Sequence, residues 1–170
     1  MTTLTAALNR RILTMIEWCN FSTPELKPYF EYLNHFSEEL VEQGRVEGLW
    51  MGEELIGLAW IQPCTQSQVK EQFKAIYGKT SNPQLRSEIM KALAELQLNH
   101  SSGIALEYFN IHENYQGLGY GNWWMTQLKK DHPFIILCPA TWTDEFWEAQ
   151  GFTFVLPDYM IWESSLSVSC

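Results

Sequence analysis

At 170 residues, with 11 basic against 20 acidic side chains and a formal net charge of −9, the chain can bury about 70 % of its unfolded surface, so it needs neither disulfide nor metal to fold. That acidity, with a sequence pI near 4.9, argues against a nucleic-acid partner, whose phosphates would meet a negative surface, and favours a cationic amine or a basic peptide. Cys19, Cys64, Cys138 and Cys170 stand far apart, with no C-x-x-C pair and no histidine at ligand spacing, which reads as reduced thiols in a cytoplasmic protein and offers no metal site.

The first dozen residues include Asn9, Arg10 and Arg11 and lack the apolar run of a secretory signal, and no segment is long enough to cross a bilayer. Ile12–Trp18 is expected to form a first strand. Thr23 then caps a helix with Pro24 at its first position and apolar residues at Leu26, Phe30, Leu33, Phe36 and Leu40, closed by Gly44. Glu38, Glu39 and Glu42 on that helix read as a solvated face, or as a lure for a basic substrate. Arg45–Met51 and Leu55–Gln62 form a hairpin around Gly52-Glu53. The stretch 64–100 reads as helical. Val69, Phe73, Ile76 and Tyr77 make one apolar face ending at Gly78, and Asn82-Pro83 opens a second helix with Leu85, Ile89, Leu93 and Leu96 inward.

Ile104–Ile111 is dominated by apolar, β-branched and aromatic residues and suits a strand buried on both faces. Gln116-Gly117-Leu118-Gly119-Tyr120-Gly121 follows as a glycine-rich turn. From Tyr120 the period changes to that of a helix, with Tyr120, Trp124 and Leu128 on one face, Lys129, Lys130 and His132 at the end that favours cations, and Pro133 as the stop. Phe134–Cys138 returns as a strand, giving a βαβ unit. A turn that aims several backbone N–H groups at one oxyanion needs positive φ and no Cβ in the way, and the helix behind it adds unpaired N–H groups and its dipole. Such a cradle holds a diphosphate without Lys or Arg. A dinucleotide G-x-G-x-x-G begun at Gly117 fails at Asn122, and no Gly-Lys-Ser/Thr follows for a P-loop; a plain structural turn remains the bland alternative.

Gln116-x-x-Gly119-x-Gly121, preceded by Phe109-Asn110-Ile111-His112 and opening a helix, resembles the acyl-coenzyme A signature of the GNAT superfamily of N-acetyltransferases. Phe146-Trp147-Glu148-Ala149-Gln150-Gly151-Phe152 is similar to that family's late F-Y-x-x-x-G-F segment, and Leu49–Gly57 resembles its hairpin ahead of the binding strand. The resemblance implies one α/β (α+β) domain over residues 1–170, with a mixed, mostly antiparallel twisted sheet flanked by helices. Residues 64–100 are then a helical insertion before the cofactor-binding strand, serving as a wall of the acceptor site, a homodimer interface or an extension of the core.

The resemblance further implies acetyl-coenzyme A as co-substrate and direct transfer of its acyl group, in a ternary complex, to the amine of a small molecule or a protein. Cofactor contacts fall on Phe109, Ile111, Gln116, Gly117, Leu118, Gly119, Tyr120, Gly121 and Asn122, with a backbone N–H within Phe109–Ile111 polarising the carbonyl. The amine must lose a proton. Glu107 is the candidate base, on the strand face of Phe109 and Ile111 where burial would raise its pKa; pairing with a basic neighbour or facing solvent is its ordinary reading, and His112 is a weaker alternative. Two positions depart from the family. Trp147 stands where a tyrosine commonly serves as acid, which leaves Tyr159, Tyr115 or solvent for that role, and Ala140 replaces a frequent asparagine. The tryptophans read mostly as core, with an aromatic groove for a cation as the sharper reading. The turn at Pro157-Asp158 is short, which suggests by resemblance an open acceptor cleft. A noncatalytic acyl-coenzyme A-binding module is the alternative function, and an interaction protein working through its inserted helices a third.

Overall fold

The computed structural model describes residues 16–19, 45–52, 54–140 and 142–165, so the helix expected over residues 24–43 and its acidic face lie outside the described residues. The hydrogen-bonded strand order of the mixed sheet is β1-β2-β3-β4-β5-β7-β6. By contacts the chain divides at residues 62/63, 106/107 and 121/122 into two compact units.

In the first unit, β1 (Ile16–Cys19) pairs antiparallel with β2 (Arg45–Met51), which pairs antiparallel with β3 (Glu54–Thr65). Gly52 makes the β2–β3 turn with φ 67°, and the ladder slips one residue between Leu49 and Trp50, a bulge that adds local twist. Leu55–Ile61 is buried without interruption, as a central strand's continuous apolar run predicts, and β3 extends past the expected Gln62 to Thr65.

In the second unit the stretch expected to be helical folds as two helices. α1 (Gln66–Tyr77) opens on a reciprocal capping box between Thr65 and Gln68. α2 (Pro83–Glu95) opens on Asn82, whose Oδ1 accepts from the backbone N–H groups of Gln84 and Leu85, with proline where its missing N–H costs nothing. Val69, Phe73, Tyr77, Ile89 and Leu93 bury against Phe134, Ile136, Leu156 and Ile161, so the two helices extend the core. Two inward assignments need correction. Ile76 is 44 % exposed because it falls at the edge of the face centred on Phe73, and Leu96 lies beyond the last turn in extended conformation, only half-buried.

β4 (Ser102–Ile111) pairs in parallel with β5 (Phe134–Leu137) through Ile104↔Ile135, Ala105↔Ile136 and Leu106↔Leu137, and α3 (Tyr120–Asp131) connects them, which gives the expected βαβ unit. Gly103 permits the close approach at the start of this pairing, since a Cβ there would stand 2.4 Å from the Phe134 carbonyl oxygen. The expected two-sided burial of β4 holds only in part. Ile104, Leu106 and Ile111 are buried but Glu107 is exposed, beyond the end of the β5 register. β5 likewise stops one residue early, leaving Cys138 exposed.

α4 (Asp144–Ala149) follows, and β6 (Thr153–Leu156) turns at Pro157-Asp158 into β7 (Tyr159–Glu163), which lies antiparallel to both β6 and β5. With β4–β5 the parallel pair and the remaining registers antiparallel, the sheet is mixed and mostly antiparallel. Among the described residues, no helix is long and apolar enough to cross a membrane.

Candidate functional site

The turn between β4 and α3 takes its shape from backbone conformation. Gly117 and Gly119 have φ of 73° and 89°, in the left-handed region that a side chain disfavours, and a Cβ built on either would meet no atom within 4 Å. Each glycine is therefore required by its φ, and the space beside it is open. Leu118 between them is 60 % exposed. Tyr120, buried at the first position of α3, anchors the turn to the helix, and Gly121 and Asn122 continue the first turn, where backbone N–H groups have no intrahelical acceptor.

Gln116 closes the loop from the other side. Its Nε2 donates to the Ile111 carbonyl at 2.7 Å, and its backbone N–H donates to Glu113 across a short 3₁₀ turn, Glu113–Tyr115. Its amide is thus bonded to the end of β4. His112 is held there as well, its N–H donating to the Ile56 carbonyl and its Nδ1 accepting from the Asn114 N–H. Beside the turn, the Tyr115 hydroxyl donates to Glu54 at 2.6 Å, its ring lies edge-on to Tyr120 and His112, and the Tyr120 hydroxyl points at the Met51 sulfur. The Glu54 hydrogen bond, with lesser desolvation, raises the Tyr115 pKa and keeps the phenol protonated. Glu54 and Met51 escaped sequence reasoning because nothing in their local pattern marks a partner so distant in the chain.

Glu107 is exposed at the point where β4 runs past β5. Its pKa is raised above the ordinary carboxylate value by desolvation. Exposure is the firmer constraint on its chemistry: neighbouring atoms thin the hydration of the carboxyl without shutting out water, a setting that suits proton transfer through a water. Phe109 is half-buried and Ile111 buried on the same strand face.

The late motif takes the form its resemblance implies, helix into strand. α4 ends at Gln150, Gly151 turns the chain with φ 80°, and Phe152 is buried just ahead of β6. Trp147 is 7 % exposed, edge-on to Phe146 and Phe152, with its indole Nε1 donating to Thr143 Oγ1 at 3.1 Å. Thr143 in turn donates to the Ala140 carbonyl. Tyr159 packs its ring on Phe73 at 4.5 Å. Of the tryptophans, Trp60, Trp124 and Trp147 are buried and Trp50 and Trp123 half-buried, as the core reading expects, while Trp142 is 84 % exposed.

Asn122, on the first turn of α3, has a partner the sequence did not suggest, since its Oδ1 accepts from Gln150 Nε2 at 3.0 Å. Lys129, two turns further along the same helix face, donates to the Gln150 carbonyl and lies over the rings of Phe152 and Trp162. Desolvation lowers the Lys129 pKa. Among the described residues no group of His, Cys, Asp or Glu is arranged to hold a metal.

No protein-family model matches the chain, and no curated protein matches it in sequence. Solved structures do. It is similar to the Bacillus subtilis N-acetyltransferase YlbP in complex with coenzyme A, with TM-score 0.54 and 18 % identity over 88 % of this chain and 97 % of that one. A bacterial toxin superposes with TM-score 0.52 at 14 % identity, covering 88 % and 90 % of the two chains. The AtaTR structure bound with acetyl-coenzyme A gives TM-score 0.52 at 11 % identity, covering 87 % and 92 %. At these identities the likeness establishes the fold, and the chain has the GNAT fold.

Proposed function

We propose that the chain is an acetyl-coenzyme A-dependent N-acetyltransferase, one domain that moves an acyl group to an amine by direct transfer in a ternary complex. The observation that carries this reading is the turn ahead of α3, where two left-handed glycines stand beside open space at the start of a helix. An extended diphosphate fits such a cradle because backbone N–H groups and the helix dipole supply the charge complementarity that an acidic chain lacks in side chains. Gln116, Gly117, Leu118, Gly119, Tyr120, Gly121 and Asn122 would hold the diphosphate, and backbone groups of Phe109 and Ile111 the acyl arm. Acyl-coenzyme A supplies an activated carbonyl: a C–N bond forms to the neutral amine, the C–S bond breaks, and the thiolate leaves.

Glu107 would take the amine's proton through a water, as its exposed, partly desolvated carboxyl allows. For the departing thiolate, Trp147 offers no proton, Tyr115 is committed to Glu54 and Tyr159 packs its ring on Phe73 against the core, so solvent is the source we assign. The net charge of −9 favours a cationic acceptor, a small amine or a protein amine, and a cytoplasmic location suits both. An interface built from the inserted helices, between copies or with a partner, has little support, because their apolar face lies in the core.

One observation favours a second reading, a binder without turnover. The indole that replaces the family's acid is sealed by Thr143 and two aromatic rings. A screen of amine acceptors with acetyl-coenzyme A, read by free thiol release beside calorimetric coenzyme A binding, separates the two. Turnover supports the enzyme, binding with no turnover supports the module, and absence of binding removes both.

A further inference from the structure

Gln150 lies in the late F-W-x-x-x-G-F segment, far in sequence from the glycine turn, yet its Nε2 donates to Oδ1 of Asn122 in the first turn of α3. We propose that Gln150 is a positioning residue for the coenzyme A diphosphate, acting by fixing the amide of Asn122; the inference rests on the coenzyme A reading above. The argument is one of hydrogen-bond inventory. A primary amide has an acceptor end and a donor end, and an exposed asparagine at a helix start would otherwise turn freely between them. With its oxygen taken by Gln150, Asn122 presents its Nδ2 donors in the same turn whose backbone N–H groups lack acceptors. Donor is the polarity an anion needs.

Gln150 is equipped to hold still. Its backbone N–H donates to the carbonyls of Phe146 and Trp147 at the end of α4, and its own carbonyl accepts from Lys129. The Lys129 ammonium is in turn fixed over Phe152 and Trp162, at 5.3 and 5.1 Å from their ring centroids. Three anchors thus leave the Gln150 side chain little freedom at its base, and the hydrogen bond to Asn122 costs little further ordering. The arrangement also gives a physical task to an unspecified position of the late motif, the one just ahead of Gly151.

The test is a double-mutant cycle on coenzyme A affinity, measured by calorimetry on the full chain: parent, Gln150→Met, Asn122→Ala and the pair, with Gln150→Ala as a second variant if Gln150→Met fails to fold. Gln150→Met keeps the side chain's length and removes its donor. The expected result is an affinity loss of about three- to tenfold for Gln150→Met in the parent, and no further loss when Asn122 is already alanine. An unchanged affinity overturns the proposal, and so does an equal loss in both backgrounds, which would mark Gln150 as merely structural. A parent that binds no coenzyme A overturns the cofactor reading itself, an outcome distinct from either.

Discussion

The glycine turn ahead of α3 and the helix pair α1–α2 hold their shapes by opposite means. Residues Gln116–Gly119 are all exposed, and their form comes from two positive φ angles and two bonds from Gln116, to the carbonyls of Ile111 and Glu113. α1–α2 is shaped by side chains, with caps at Thr65 and Asn82 and an apolar face closed on the core. The difference teaches where to look for each kind of sensitivity. A backbone-built turn has little stability to lose and much binding geometry; a side-chain-built helix pair has the reverse.

The largest effect should fall on the helices. Phe73 is 1 % exposed and packs against Tyr77 and Tyr159, so Phe73→Ala leaves a cavity and should cost about 3–5 kcal/mol in denaturant unfolding. Coenzyme A affinity of the folded variant should match the parent. A parallel loss of affinity would break the comparison, because it would make the helix pair part of the binding machinery.

Gly119→Val should act the other way. At φ 89° a β-branched residue is strained by about 1–3 kcal/mol, while the open space around the position means that no neighbour is displaced. Beyond that strain, the loss should appear in coenzyme A affinity, on the order of a hundredfold if the turn's N–H bonds to the diphosphate are disrupted. Calorimetry on the folded variant decides the matter; an unchanged affinity would make the turn a structural one.

This contrast also explains what the sequence revealed. α1, α2 and α3 were legible because cap residues and apolar spacing are local: Asn82-Pro83 opens α2, and Tyr120, Trp124 and Leu128 are all buried as expected. The turn was legible for a similar reason, since glycine spacing writes backbone conformation directly into the chain. Local signals left Glu107 between burial and solvent, because the apolar run around it argued for one and its charge for the other, while the outcome depends on where β5 ends. They missed Glu54 with Tyr115 and Gln150 with Asn122 for the same reason, as each pair is brought together only by the fold. Ile76 shows the limit within one helix, where the period marks a face but not its edge.

Glu107→Gln sharpens the comparison at the boundary between strand and site. Desolvation raises the Glu107 pKa, so the proposed base is protonated sooner than an ordinary carboxylate as pH falls, and its share of the rate is lost through that raised value. The variant should keep the fold and coenzyme A affinity while losing about tenfold in turnover, most visibly between that raised value and the pKa of the acceptor amine, where the carboxylate is ionised and few amines are already neutral. For stability the sign is opposite. A carboxyl whose folded pKa is raised contributes below its unfolded value and loses that contribution as pH rises through the folded one, and solvent contact keeps the term small. A pH–rate profile that follows the parent in shape and height would return Glu107 to the surface.

The smallest effect is expected at Trp147, where the two readings of the chain part. Thr143 precedes α4 without capping it by its side chain; its hydroxyl instead donates to the Ala140 carbonyl and accepts from the Trp147 indole. The indole N–H therefore closes the turn that leads into α4. Trp147→Phe keeps an aromatic ring near Phe146 and Phe152 but leaves one acceptor position of Thr143 empty, so it should cost about 1 kcal/mol of stability. If solvent protonates the thiolate, single-turnover thiol release should stay within about twofold of the parent. A rate that collapses with fold and coenzyme A affinity intact would mean that the indole N–H acts in the transition state, and that its bond to Thr143 orients a working donor. If the parent binds coenzyme A but releases no thiol with any acceptor, Trp147→Tyr becomes the informative variant. Turnover gained by that change would show that the chain binds as a module because this one position lost its acid.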